Sequence, residues 1–404
     1  MSEWVETTIG DVATVFDGPH ATPKKTEEGP WFLSISSLDQ GRLNLAESAH
    51  VSEDDFSQWT RRVTPQEGDV LFSYETRLGE AALMPAGIRA CLGRRMGLLR
   101  PKRDVVEPKF LLYAYLGPEF QQVIASRRIH GATVDRIPLA SLPTWPIRIP
   151  GLPEQRAVVA LLSALDDKIS VNERISETAD ALSRALFDGT CRSTAREDRA
   201  GWTPGHLSDI CSTQYGYTAS SSPDPAVGPK FLRVKDINKR NWITWSDVPH
   251  CEISDGDFEK YRLAVGDVLV ARMADPGKSA VVEELTEAVF ASYLVRLKMP
   301  SLAHSYFVWG FLKSDAYARY AESSRGGSVQ ANMNAKVIVG APLVIPPVEV
   351  MEQYLYSVRP VRERLTLALR ESTQLAALRD TLLPQLMSGR LRVKDAEKIV
   401  ENAT

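Results

Sequence analysis

Several segments of this chain hold reactive residue types, but none has the spacing that catalysis needs. Gly277-Lys278-Ser279 mimics the end of a phosphate-binding loop. That loop needs a further glycine at position 272, and Arg272 stands there. Its counterpart in the first half reads Gly79-Glu80-Ala81, with no lysine. No Asn/Asp-Pro-Pro-Tyr/Phe segment is present to hold a flipped adenine. No glycine-rich fingerprint follows a strand to bind a nucleotide. The six histidines (His20, His50, His130, His206, His250, His304) show no metal-ligand spacing. His50 and His250 sit at similar places in the two halves, which favours a structural role. The cysteines, Cys91, Cys191, Cys211 and Cys251, form no CxxC pair. Neither a zinc site nor a disulfide framework is indicated, and a reducing cytoplasm is the simplest home.

A different chemistry is better represented: side chains that contact DNA. Arginine can pair bidentately with guanine, Asn and Gln suit adenine, and Lys, Ser and Thr mostly reach phosphate. In the first half the candidates are Lys24, Lys25, Tyr74, Arg77, Arg94, Arg95, Arg127, Arg128, His130 and Thr133. In the second half they are Tyr217, Thr218, Lys235, Lys239, Arg272, Lys278, Arg325, Ser328, Gln330 and Asn332. Segments 127–134 and 325–330 align: each runs from basic residues through glycine to a Thr/Ser-Val pair. The plainer alternative is a solvated surface turn. The net charge of −3 argues against a globally basic surface, so a DNA-binding face must be a local concentration of Lys and Arg.

These residues sit in a sequence written twice. Trp4, Asp11 and Gly18 recur as Trp202, Asp209 and Gly216, an offset of 198. The same offset carries Gly68-Asp69-Val70-Leu71 onto Gly266-Asp267-Val268-Leu269 and Gly79 onto Gly277. Two copies of one module predict an internal pseudo-two-fold axis, which suits a ligand with two related halves such as DNA. Residues 1–150 and 201–346 read as mixed α/β. Strand-like runs occur at 31–38, 69–73, 98–100 and 145–149, and again at 231–237, 267–271, 293–298 and 343–345. Each module has one amphipathic helix candidate, Phe110–Ile124 and Ser305–Tyr320. The 44% hydrophobic content can fill several cores. No apolar run reaches the length of a membrane span, and no signal peptide is visible.

Two stretches have another texture. From Val158, heptad spacing aligns Val158, Leu161, Leu165, Lys168, Asn172, Ile175, Ala179, Leu182 and Leu186. The second copy aligns Val358, Val361, Leu365, Ala368, Ser372, Leu375, Arg379, Leu382 and Leu386. Seams of this length argue for a coiled coil, with Asn172 controlling register at some cost in stability. Both helices follow a proline-rich entry, and both are expected to end at a glycine, Gly189 and Gly389. Pro360 either kinks the second helix or marks its start.

The run LPEQRAVVALLSALDDKISVNERI (152–175) and the ending LLPQLMSGRLRV (382–393) resemble the two helical repeats of specificity subunits of type I restriction–modification enzymes. The Trp-…-Asp-…-Gly module openings and the Gly-Asp-Val-Leu strands are similar to that family's target-recognition domains. The resemblance covers nearly the whole chain. It implies duplicated α/β (α+β) recognition domains separated by two long antiparallel coiled-coil helices. The expected segments are domain 1 (1–150), a central helical repeat (151–190), domain 2 (191–346) and a C-terminal repeat with tail (347–404). Each domain would read one half of a split DNA site, and the helices would set the gap. The implied partners are double-stranded DNA, two methyltransferase subunits and restriction–translocase subunits. S-adenosylmethionine, ATP and magnesium would be used only on those partners, and the chain itself would do no chemistry. The open alternatives are a duplicated scaffold for another ligand and a stand-alone DNA-modifying enzyme.

Overall fold

The computed structural model describes residues 4–39, 41–131, 134–192, 201–324 and 332–403. The chain forms two compact units. One is Met1–Lys168 with Leu375–Thr404, and the other is Ile169–Gln374. Each unit therefore combines one module with part of both long helices.

In the first unit, Val-Leu-Phe-Ser at Val70–Ser73 is fully buried, as its apolar run demands. It lies inside an antiparallel four-stranded sheet ordered Ala13–Asp17, Met96–Pro101, Val70–Ser73, Ala81–Leu83. The second unit repeats this with Ser212–Tyr215, Leu294–Lys298, Val268–Ala271 and Ser279–Val281. Register repeats as well: Leu98 opposes Leu71 as Arg296 opposes Leu269. A short parallel pair accompanies each sheet, Thr26–Leu33 with Ala90–Leu92 and Lys230–Leu232 with Ala288–Phe290. An antiparallel pair closes each module, Val5–Thr8 with Pro146–Ile149 and Thr203–His206 with Pro342–Ile345.

The duplicated Gly-Asp turns show why those two residues recur. Gly68 and Gly266 take φ of 87° and 93°, a conformation that a side chain would strain. The following carboxylates tie the turn down. Asp69 accepts from the Gln66 N–H at 2.8 Å and Asp267 from the Ala264 N–H at 2.9 Å. Each also binds an arginine, Arg100 Nη2 at 2.8 Å and Arg296 Nη1 at 2.9 Å. The two arginines come from different positions on the equivalent strand. His50 and His250 play the same structural part: Nδ1 of each lies 2.7 Å from a glycine carbonyl, Gly29 and Gly228.

The single helix expected in each module is two. Pro108–Leu116 stops at Gly117, and Pro118 begins Pro118–Arg127. Gly117 is extended (φ −65°, ψ 149°), and Pro118 has no N–H to continue the first helix. In the second unit, Leu302–Leu312 and Asp315–Ser323 are separated by Ser314, whose hydroxyl caps Tyr317 N–H.

The long helices are Leu152–Arg192 and Val348–Met387. Gly189 lies inside the first helix rather than ending it. Pro360 lies inside the second, so it does not mark the start. Gly389 does follow a helix end, with φ 69°, and a β-carbon added there would meet the Trp4 indole at 2.6 Å. Along the first helix the stripe drifts. Val158, Leu165 and Asn172 are buried as expected, but Leu162 and Ser176 take the places assigned to Leu161 and Ile175, which are only half-buried. Lys168 is exposed, and so is Leu182, at 47%. A straight helix turns once per 3.6 residues, so a strict heptad walks off its buried face. On the second helix Leu365, Leu375 and Leu382 are buried, whereas Val361 is half-buried beside fully buried Arg362.

Within the second unit the helices run antiparallel. Asn172 Nδ2 donates to Glu371 at 2.8 Å, Arg362 meets Asp180 at 3.2 Å, and the Tyr354 hydroxyl donates to the Ser183 carbonyl at 3.4 Å. The seam there is partly polar, with Asn172, Ser176, Asp180, Ser183 and Arg362 all buried. In the first unit Arg379 holds Asp166 at 2.9 Å, and the Tyr113 hydroxyl donates to the same carboxylate at 2.7 Å.

Candidate nucleic-acid interface

Positions 74 and 272 are equivalent, and each joins three loops at the end of a sheet strand. In the first unit the Tyr74 N–H donates to the Arg95 carbonyl at 3.1 Å, and the Tyr74 carbonyl accepts from Ile137 at 2.8 Å. In the second unit the Arg272 N–H donates to the Tyr293 carbonyl and the Arg272 carbonyl accepts from Met333, both at 2.9 Å. The next turn is strained in both copies. Thr76 and Ala274 take φ of 71° and 65°, in the left-handed region that most residues avoid. At Gly79 an added β-carbon would meet the Gln121 side chain at 2.1 Å, so this turn packs closely on the neighbouring helix.

The same backbone carries different side chains. Tyr74 is buried, and burial beside Asp17 pushes its hydroxyl up to about 12. It therefore anchors the loops and does not project from them. Arg77 donates to the carbonyls of Ile35 and Leu38 at 3.2 Å each and pairs with Glu80 at 3.0 Å. Arg95, itself at φ 70°, pairs with Glu75 at 2.8 Å. These two arginines stiffen the surface.

Arg94 and Arg127 are exposed and have no ion pair among the described residues. Arg128 and His130 share Asp135, at 3.3 and 3.0 Å. Thr133 lies outside the described residues. Lys24 and Lys25 are exposed in the segment before strand Thr26–Leu33. Arg136, which the sequence reading passed over, is exposed and bridges both Glu75 and Ile129 through its backbone.

In the second unit Arg272 lies over the Tyr215 ring, 5.0 Å from its centroid. Lys278 and Asn332 are exposed. Lys235 and Lys239 are exposed too, and Asn238 between them donates to Asp275, which ties their segment to the Arg272 turn. Tyr217 is half-buried against Tyr261, with ring centroids 5.4 Å apart, and Thr218 beside it is exposed. Arg325, Ser328 and Gln330 lie outside the described residues. Tyr215 and Tyr293, 43% and 54% exposed, were missed. Carrying the 198-residue offset through Asp17 and Arg95 would have found them.

The rival chemistries do not gain support. Gly277-Lys278-Ser279 leads into strand Ser279–Val281, not into the helix N-terminus that a phosphate loop requires. No group of three metal-ligating side chains occurs among the described residues. Burial pushes the Cys91 thiol up to about 12 and those of Cys211 and Cys251 to about 11, opposite to the shift that activates a nucleophile. Among the described residues, no helix is long and apolar enough to cross a membrane.

Comparison with known proteins matches this architecture. A family model described as the type I restriction modification DNA specificity domain matches residues 1–180. The chain is 20% identical over 474 residues to the type I restriction enzyme HindI specificity subunit of Haemophilus influenzae, covering 97% of this chain and all of that protein. It is 22% identical over 425 residues to the putative MjaX specificity subunit of Methanocaldococcus jannaschii, covering 97% and 94%. The fold is shared with the type I restriction–modification S subunit of M. genitalium, with a TM-score of 0.57 and 15% identity over 95% of this chain and 96% of that one. The first 180 residues are thus similar to the type I DNA specificity domain, and the chain shares the fold of a type I restriction–modification S subunit.

Proposed function

We propose that this chain is the DNA sequence-specificity subunit of a type I restriction–modification complex, each module reading one half of a bipartite site. The observation that carries this reading is the duplicated three-loop junction at Tyr74 and Arg272. One backbone frame is held by equivalent hydrogen bonds in both units, and it presents different side chains. A repeated frame with divergent contacts is what two unlike half-sites require. The long helices set the spacing of the half-sites and dock two methyltransferase subunits, which restriction–translocase subunits join. Adenine methylation with S-adenosylmethionine, and the use of ATP and magnesium, belong to those partners. The chain itself does no chemistry.

The test is methylation mapping. Co-expressed with its methyltransferase partner, the chain should direct adenine methylation to a split sequence, and exchanging residues 1–150 for those of a relative should change one half of it. Methylation by the purified chain alone would refute the non-catalytic role. Methylation whose sequence does not follow this chain would refute the specificity role.

A further inference from the structure

Three equivalent positions surround each junction, and they hold different residues. In the first unit they are Asp17, Tyr74 and Arg95; in the second they are Tyr215, Arg272 and Tyr293. The register supports the equivalence, since Gly97 opposes Asp17 as Val295 opposes Tyr215. In the first set both charged groups have ion-pair partners, although Asp17 Oδ1 accepts no hydrogen bond. Tyr74 is buried beside Asp17, Asp17 also lies 2.9 Å from both Arg62 and His20, and Arg95 pairs with Glu75.

The second set differs. Arg272 has no carboxylate partner among the described residues. Its Nε is enclosed without a hydrogen bond, and its guanidinium makes no hydrogen bond to the other described residues. The guanidinium is nonetheless held in place. It stacks on Tyr215, whose hydroxyl accepts the Ala335 N–H at 3.0 Å, and its own backbone is fixed at both ends by Tyr293 and Met333. Exposed Tyr293 flanks it.

A positively charged, planar fork without a carboxylate partner among the described residues, preorganised on an aromatic ring, fits one partner in the DNA grooves particularly well. Guanine presents O6 and N7 side by side in the major groove as paired acceptors. A phosphate contact would not need the fork to be held rigidly, and lysine would serve as well. We infer that Arg272, positioned by Tyr215, reads a guanine in the half-site recognised by the second unit, and that the first unit has no such reader at its equivalent position.

This inference rests on the specificity role proposed above and deepens it. The test uses the full chain assembled with its methyltransferase subunits. Arg272→Lys keeps the charge and removes the fork; Arg272→Ala removes both. Methylation mapping and binding to oligonucleotides with each half-site base replaced in turn, at one fixed salt concentration, give the readout. The expected result is that one guanine position in a single half-site becomes permissive in both variants. Affinity for the original site should fall about tenfold to a hundredfold, with preferences in the other half-site unchanged. Because Arg272→Lys conserves charge and approximate size, it keeps the test valid should Arg272→Ala fail to fold.

Three results would overturn the inference. The second unit's half-site could contain no guanine. Arg272→Lys could retain full base preference. Arg272→Ala could weaken all sequences equally while flattening the salt dependence, which would mark a phosphate contact and leave the specificity role intact. Sequence-independent methylation by the unmodified assembly would instead sink the specificity role itself, and this inference with it.

Discussion

Arg362 and Asp180, one on each long helix, meet at 3.2 Å with side chains 0% and 5% exposed. Arg362 also binds Glu283 at 2.6 Å and lies over the Trp309 ring, 4.5 Å from its centroid. One buried cation thus joins both helices to the second module. Its guanidinium pairs with two acids and stacks on an aromatic, so its charge is compensated where water cannot reach.

Arg362→Ala should therefore be costly. It leaves buried Glu283 without its cation and Asp180 ion-paired, among the described residues, only with the half-exposed Arg184 at 3.4 Å, a loss of about 3–5 kcal/mol for a broken buried pair. Urea unfolding followed by fluorescence will measure it. A loss below about 1 kcal/mol would mean that water enters the cluster and hydrates the acids.

Lys313 gives the second unit a pH dependence. Its amine is buried and donates to the Ser279 carbonyl, and burial lowers it from the ordinary lysine value to about 7. Between about 7 and the unfolded lysine value near 10.4, the unfolded chain keeps a proton that the native state has released. Stability contributed by this group therefore rises with pH across that window, by up to about 1.4 kcal/mol per pH unit. Cysteines whose thiols are raised by burial oppose it above about pH 8.5, so the comparison belongs between pH 7 and 8. Lys313→Met should show a flatter pH–stability curve there than the unmodified chain. Parallel curves would show that the amine stays charged in the fold.

Arg127 should contribute to DNA affinity without contributing to base choice. It is exposed in the last turn of helix Pro118–Arg127, whereas neighbouring Arg128 is committed to Asp135. Arg127→Ala should reduce the slope of log K against log salt by about 0.9, the value of one phosphate contact. An unchanged slope would leave Arg127 as a solvated side chain.

The spacer of the recognised site should follow helix length. Both long helices pass from one unit to the other, at Lys168–Ile169 and at Gln374–Leu375. A heptad inserted at each crossing adds about 10 Å per helix and leaves the module packing untouched. The recognised gap should lengthen by up to about three base pairs at about 3.4 Å each, with both half-site sequences kept. An assembled, active variant with its original gap would reduce the helices to a docking surface.

The duplication, the mixed character of each module, the buried Gly-Asp-Val-Leu strands and the two long helices were all legible in the sequence. Those features are set locally, by hydrophobic period, by glycines that tolerate positive φ, and by a repeat that needs only counting. The break at Gly117-Pro118 was equally local but went unread.

What tertiary structure decided was the use of individual polar groups. Tyr74, Arg77 and Arg272 all read as groove-facing side chains in sequence. Packing buried the first, tied the second to two carbonyls, and stacked the third on Tyr215. The heptad stripe similarly gave way at Leu182 and Arg362, because a helix buries whichever residues face its neighbours once the real 3.6-residue turn is imposed. A polar side chain's role depends on partners distant in sequence, such as the Asp17 that receives Tyr74 and the Glu283 that pairs with Arg362, and no local pattern encodes them.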